Sequence, residues 1–222
     1  MMKQPAMKID PRSPTSGGRR PRRLTPRALE RMRLPRRFWD ASFKRISEGV
    51  HKEAIERFAR KIVPALKKGY GMILWGNNGV GKTAAAAACL KQARLHGATG
   101  MFITTNQFIM DTIARTPFDD AHSVHQRAKS VDLLVIDDLG KESVDLSASK
   151  DTVEAMLEDL LRSRSAEMKS TIITSNLAPE TMEAKFGQSL MRVMQEANPL
   201  IEMRGPSKRN EGQRELVRFF NE

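Results

Sequence analysis

Gly76-Asn77-Asn78-Gly79-Val80-Gly81-Lys82-Thr83 fits G-x-x-x-x-G-K-[ST], the spacing of a phosphate-cradling P-loop, and its reading decides the fold. Glycines at 76, 79 and 81 let the backbone take positive φ, so successive N–H groups approach an anion with no Cβ in the way. The N–H groups of Asn77, Asn78 and Val80 complete that wrap. Lys82 supplies a mobile charge for the β- and γ-phosphates, and the Thr83 hydroxyl is placed to hold Mg²⁺. Just upstream, Met72-Ile73-Leu74-Trp75 is an apolar run suited to a buried strand. Just downstream, Ala84-Ala85-Ala86-Ala87-Ala88-Cys89-Leu90 is a strong helix former. Strand, loop and helix in that order aim a helix N-terminus at the phosphates.

Working outward, strands and helices alternate. Val50, Ala54, Ile55, Phe58, Ala59, Ile62, Val63 and Leu66 recur at helical spacing, predicting one helix over 47–66 that Gly69 ends. Beyond the P-loop helix, Gly97 and Gly100 frame a turn into the strand Met101-Phe102-Ile103-Thr104. Helices are expected over 106–114 and 121–129, separated by Pro117-Phe118-Asp119-Asp120. The continuous apolar run Leu133-Leu134-Val135-Ile136 has the composition of a central parallel strand. A helix over 151–164 carries Val153, Met156, Leu157, Leu160 and Leu161 on one stripe. The strand Thr171-Ile172-Ile173-Thr174, a helix over 179–195 and the short strand Leu200-Ile201-Glu202-Met203 complete the order. The expectation is an α/β fold: a parallel five-stranded sheet with helices on both faces and ligands at the carboxyl ends of its strands.

Two strand ends carry further chemistry. The run Val131-Asp132-Leu133-Leu134-Val135-Ile136-Asp137-Asp138-Leu139 closes a buried strand with adjacent carboxylates. Neighbouring strand residues point to opposite sides, so the two acids take different jobs. Asp137 suits the Mg²⁺ shell shared with Thr83, and Asp138 suits orienting or polarising an attacking water. Thr174-Ser175-Asn176 ends another strand, where Asn176 is placed to sense the γ-phosphate or the water as a neutral hydrogen-bonding group.

Charge divides the chain. Residues 1–48 hold 14 Lys/Arg against 4 Asp/Glu, whereas the rest holds 24 against 22 of the 222-residue chain, whose net charge is +12. We therefore expect a basic, largely disordered arm over 1–33 and an ATPase domain over 34–222. Such an arm meets polyanions, nucleic acid first among them, or remains a solvated tail. Thr25-Pro26 reads as N-cap and N1 of a helical turn through Ala28, Leu29 and Met32. The stretch Leu34-Pro35-Arg36-Arg37-Phe38-Trp39 suits stacking on bases or docking on a protein. Phe38, Trp39 and Phe43 equally suit anchoring the arm to the core, the reading preferred here. Cys89, the single cysteine, sits in an apolar helix and suits packing rather than chemistry, and the histidines lack partners at zinc spacing. There is no apolar run long enough to span a bilayer, and Pro5, Pro11, Pro14, Pro21, Pro26 and Pro35 break any amphipathic transit helix. The protein is expected to be cytoplasmic and away from membranes.

In this order, GNNGVGKT, LLVIDDLG and TIITSN resemble the AAA+ ATPases of the DnaC/IstB group, which includes bacterial and phage helicase loaders and ATP-dependent helpers of transposases. The likeness spans residues 34–209. Leu34-Pro35-Arg36-Arg37-Phe38 with Ala41-Ser42-Phe43 is similar to the family's opening segment, and Gly205-Pro206-Ser207-Lys208-Arg209 to its closing one. The 46 residues after Asn176 leave no room for a full C-terminal helical lid, as in this group. The resemblance implies a homo-oligomer with ATP between subunits and an arginine reaching the neighbour's ATP. Arg192 is the candidate, one residue earlier than the family's usual arginine counted from Gly187, and Arg164 is the second. Arg209 resembles the late sensor arginine, with Lys208 or Arg204 as substitutes, and single-stranded DNA is implied near Arg115, Arg127 and Lys129. The function implied is an ATPase, slow as a monomer, that binds single-stranded DNA and loads or remodels a replicative helicase. The alternatives are an IstB-like helper of a transposase and a nucleotide-gated DNA-binding adaptor. A small-molecule kinase is disfavoured, because Asp137, Asp138 and Asn176 suit water activation and no Arg-rich acceptor lid is evident.

Overall fold

The computed structural model describes residues 24–113, 124–141, 150–207 and 217–220. Its elements, in chain order, are α1 (Pro26–Arg31), α2 (Val50–Arg60), α3 (Ile62–Lys67), β1 (Met72–Trp75), α4 (Lys82–Leu95), β2 (Gly100–Thr104), α5 (Thr105–Ile113), α6 (Val124–Ser130), β3 (Leu133–Leu139), α7 (Lys150–Ala166), β4 (Ser170–Ser175), α8 (Pro179–Gln195) and β5 (Leu200–Glu202). The five strands form one sheet in the order β2-β3-β4-β1-β5, and every pairing is parallel. Alternation along the strands supplies two cores. Met72, Leu74, Phe102, Leu133, Val135 and Ile172 face the first, with Ile55, Ile62 and the alanines of α4. Ile73, Met101, Ile103, Leu134, Ile136 and Ile173 face the second, with Phe108, Leu160, Phe186 and Leu190 from α5, α7 and α8. Helices thus cover both faces, which is why the strands read as unbroken apolar runs.

Two expected boundaries are corrected. The single helix over 47–66 is two, because Lys61 leaves helical geometry (φ −101°, ψ 26°). Pro64 lies in the next turn, where its ring would meet the carbonyl of residue 60 in a continuous helix. Val50, expected in the apolar stripe, is exposed as the first residue of α2, and His51 is buried instead. The packed unit also begins before residue 34. Leu29 and Met32 are buried in the first core with Leu24 against it, and the Met32 carbonyl accepts a 2.8 Å hydrogen bond from the Phe102 N–H on the outer strand β2. Thr25 caps α1 as the sequence predicts, its hydroxyl accepting from the Ala28 N–H at 3.3 Å. Phe38, Trp39 and Phe43 pack against the first core, as the anchoring reading requires.

Arg164 is corrected outright as a candidate for a neighbour's ATP. It is wholly buried near the end of α7. Its guanidinium donates to the carbonyls of Ala128 (2.6 Å), Lys129 (3.3 Å), Val131 (2.9 Å) and Ser170, and to Thr171 Oγ1 (2.9 Å). Three of those carbonyls lie at the C-terminal end of α6, the negative end of its dipole. Burial pushes the Arg164 pKa down to about 9 against the weaker opposing pull of Asp132, so the group stays protonated at pH 7. Replacing Arg164 with Ala would leave these acceptors without their donor and open a void in the core. We expect a stability loss of about 3–5 kcal/mol, measured by denaturant unfolding. A loss below about 1 kcal/mol would mean that Arg164 is no structural brace.

Candidate functional site

The loop between β1 and α4 has the backbone that its glycines predict. Gly76, Gly79 and Gly81 take φ of 134°, 83° and 99°, and a Cβ on Gly76 would lie 2.4 Å from the Met203 carbonyl oxygen. Val80 is buried and pins the loop to the first core. Lys82 opens α4 and curls back over the loop, donating from Nζ to the Gly76 and Asn77 carbonyls at 2.7 and 2.8 Å.

β4 lies between β1 and β3, which brings the other expected residues to this loop. Asp137 ends the regular part of β3 and is 1% exposed. Thr174 Oγ1 on β4 donates to Asp137 Oδ1 at 2.6 Å and accepts from the Asp138 N–H at 3.0 Å. Burial, reinforced by the Asp138 charge, raises the Asp137 pKa above the usual carboxylate value, while the Thr174 bond, the Thr83 hydroxyl and the Arg37 charge oppose the rise.

Strand alternation alone does not separate the two aspartates. The β3–β4 register shifts between Ile136 and Leu139, and Asp138 takes φ of 60°. One extra residue on β3 makes a bulge that re-aims Asp138, a conformation Asp tolerates better than most residues. Its carboxylate pairs with Lys141 Nζ at 2.7 Å. Asp138 and Asn176 then line one cavity of about 350 Å³ with Asn78, Gly79, Gly81, Lys82 and Thr83.

Four lining or supporting residues were missed. Thr174 was read only as a strand end, and its bridging role follows from β3–β4 pairing that the sequence does not print. Arg37, Arg45 and Lys141 also line the cavity. The paired arginines at 36 and 37 were visible in the sequence, but their side of the fold was not.

The arginines implied by resemblance separate. Arg192 is exposed on α8, beyond a break at Gly187 (φ 77°, ψ 160°), and does not line its own subunit's cavity. Arg204 pairs with Glu202 at 2.6 Å and lines a neighbouring cavity instead. Lys208, Arg209 and Arg115 lie outside the described residues. Arg127 donates to the Arg31 carbonyl, and Lys129 Nζ pairs with Asp159 at 2.7 Å, so both cations implied near DNA engage the chain itself. Cys89 is buried, and burial pushes its thiol up to about 12, in keeping with packing. No helix among the described residues is long and apolar enough to cross a membrane, and no cluster there suits a metal held by His, Cys, Asp and Glu alone.

The sequence profile of the IstB-like ATP-binding proteins matches residues 27–209. The chain belongs to that family. It is 32% identical over 117 residues to the ATP-binding protein of insertion sequence IS1162 from Pseudomonas fluorescens, covering 52% of this chain and 48% of that protein. The curated relatives it matches are covered over 25% to 48% of their own length. Among solved structures, the DnaC helicase loader superimposes with a TM-score of 0.65 at 24% identity, over 77% of this chain and all of that one. The replication initiator DnaA bound to AMPPCP and single-stranded DNA gives 0.60 at 18% identity, over 82% and 56%. Both likenesses show the fold: the parallel P-loop domain of AAA+ ATPases, as the IstB-like family and the DnaC/IstB resemblance imply.

The raised pKa of Asp137 sets a test. Its folded-state value lies above the unfolded one, so the group costs stability above the unfolded pKa, and that cost is lost as pH falls below it. Asp137→Asn, which keeps an acceptor for Thr174, should therefore raise the melting temperature at pH 7. The gain should vanish as pH falls below about 4, where the unfolded carboxyl is protonated as well. A variant that melts lower at pH 7 would contradict the environment described.

Proposed function

We propose that this chain is an ATP-hydrolysing, DNA-associated protein that loads or remodels a replicative helicase, working as a homo-oligomer with ATP between subunits. The observation that carries the reading is the convergence of three strand ends on one cavity: Asn78, Gly79, Gly81, Lys82 and Thr83 after β1, Asp138 at β3 with the buried Asp137 next to it in the chain, and Asn176 after β4.

The phosphates take the loop N–H groups of Gly76, Asn77, Asn78, Gly79, Val80 and Gly81, with Lys82 leaving its carbonyl partners to meet the β- and γ-oxygens. A divalent ion fits beside them, since Thr83 lines the cavity, its hydroxyl bears on the Asp137 carboxyl, and both groups are hard oxygen donors of the kind Mg²⁺ prefers. When bound, Mg²⁺ neutralises charge on the terminal phosphates. Asp138, paired among the described residues with a half-exposed lysine, orients the attacking water, and Asn176 positions it by hydrogen bonding. Arg209 is the proposed late cis arginine. The exposure of Arg192 away from its own cavity supports service to a neighbouring subunit.

The nucleoside runs into the adjoining cavity of about 910 Å³, lined by Ser47, Gly49, His51, Glu202 and Gly205. What supports this seat is His51, 8% exposed, whose buried Nε2 has no hydrogen-bond partner among the described residues. A purine edge supplies one. His51→Ala should weaken ATP binding about tenfold, the scale of one hydrogen bond to a buried group, and an unchanged Kd would remove this seat.

Residues 1–23 hold seven Lys/Arg against one acid, and we assign them to single-stranded DNA. Deleting 1–23, rather than 1–33 with its core residues Leu29 and Met32, should weaken single-stranded DNA binding and flatten its salt dependence while ATP affinity stays unchanged. Unaltered DNA affinity would refute the assignment. For hydrolysis, the rate per subunit should rise with protein concentration, and Arg192→Ala should lower it by at least about 100-fold. A rate independent of concentration would argue against a trans arginine.

The IstB-like family match and the IS1162 relative favour a second reading, in which the remodelled partner is a transposase. Capture on the immobilised chain with ATP decides between them: retention of a replicative helicase supports the first, retention of a transposase the second.

A further inference from the structure

The segment ahead of α2 is held as firmly as a core element. Leu34, Ala41 and Ile46 are buried in the first core. The Phe38 ring sits 6.2 Å from that of Phe102 on β2, and the Trp39 Nε1–H donates to the Leu34 carbonyl at 2.9 Å. Lys91, on the same helix that begins at the P-loop, donates to the Trp39 carbonyl and, at 2.9 Å, to that of Ala41. The segment is thus tied directly to α4, and a rigid mount of this kind fixes where its side chains project.

Two of those side chains, Arg37 and Arg45, line the cavity that also holds Lys82, Lys141, Asp138 and Asn176. Lys141 is matched by Asp138 at 2.7 Å. Arg37 and Arg45 have no carboxylate partner among the described residues, and the Arg37 guanidinium carbon stands 4.7 Å from the Phe38 ring centroid. Arg37 shares that lining with Asp138, and its charge favours the ionised form of the buried Asp137. An unpaired guanidinium beside a P-loop calls for a polyanion, and its planar donors match phosphate oxygens.

We propose that Arg37 binds the terminal phosphate of ATP in the same subunit, a phosphate contact from the N-terminal segment that distinguishes ATP from ADP. Arg45, on the same wall, adds charge to that contact. The inference rests on the ATP reading above and deepens it: the terminal phosphate meets a cis arginine whether or not a neighbouring subunit supplies another. Packing of residues 34–46 against α4 then becomes coupled to nucleotide state, because the same segment senses the phosphate and leads to the basic arm.

The test compares ATP and ADP affinities of the full chain by calorimetry, with Lys82→Ala as the control for loss of phosphate binding. Arg37 is exposed, so its variants should melt like the wild type. Arg37→Ala should weaken ATP at least about tenfold, as expected for a charge-assisted contact, and leave ADP within about twofold; Arg37→Lys should recover part of the loss. Equal losses for ATP and ADP, or none for either, would overturn the proposal. A mixing experiment checks the cis assignment. At an ATP concentration well below the Kd of Arg37→Ala, Arg37→Ala subunits combined with Lys82→Ala subunits should hydrolyse no faster than Arg37→Ala subunits alone, whereas a recovered rate would mean that Arg37 serves the neighbour and would also overturn the proposal. ATP bound equally by wild type and Arg37→Ala sinks this inference alone; a wild type that binds no ATP sinks the nucleotide reading beneath it.

Discussion

β4 runs between β1 and β3 and pairs in parallel with both, so three strand ends open on the same side of the sheet within reach of one ligand. Thr174 makes that juxtaposition specific. Its hydroxyl donates to the Asp137 carboxylate and accepts from the Asp138 N–H, joining the end of β4 to the bulge that ends β3. Without this bridge the buried acid would lose the first of the influences that offset its desolvation, and the bulge would lose one of its restraints. The strand that leads into Asn176 therefore also holds the acids in place.

Arg164 secures the opposite end of the same strand. It gathers the carbonyls at the close of α6 and at the start of β4 around one buried cation. A charge with no carboxylate in contact is tolerable in a core only when several oriented dipoles replace its water, and here a helix C-terminus and a strand start supply them. A surface role for Arg164 is incompatible with this burial.

The N-terminal segment links this frame to the basic arm. Phe38 packs against Phe102 of β2, Trp39 and Phe43 pack on the first core, and the segment's carbonyls are held by Lys91 of the P-loop helix, so Arg37 and Arg45 project from a fixed wall of the cavity. Exposed arginines on a mobile tail would lose more side-chain and backbone entropy on meeting a phosphate than arginines already mounted beside it. The same segment that looked like an anchor is thereby part of the site.

The sequence by itself determined the P-loop, the order of strands and helices, the two-faced burial of the sheet and the acids and amide at its strand ends. Those features are local or periodic: glycine freedom, apolar runs and residue types at fixed spacing act within a few residues of one another. It also placed Thr25 and Pro26 at the start of α1. Only the tertiary structure decided the rest. Pro64 divides the long amphipathic stretch into α2 and α3, the bulge turns Asp138 away from simple alternation, and Arg164 and Arg37 exchange their expected standing, one buried as a brace and the other set in the cavity. Arg164 and Arg37 are each defined by partners from distant parts of the chain. Burial and charge pairing depend on which segments meet in space, and a one-dimensional pattern carries no record of that meeting.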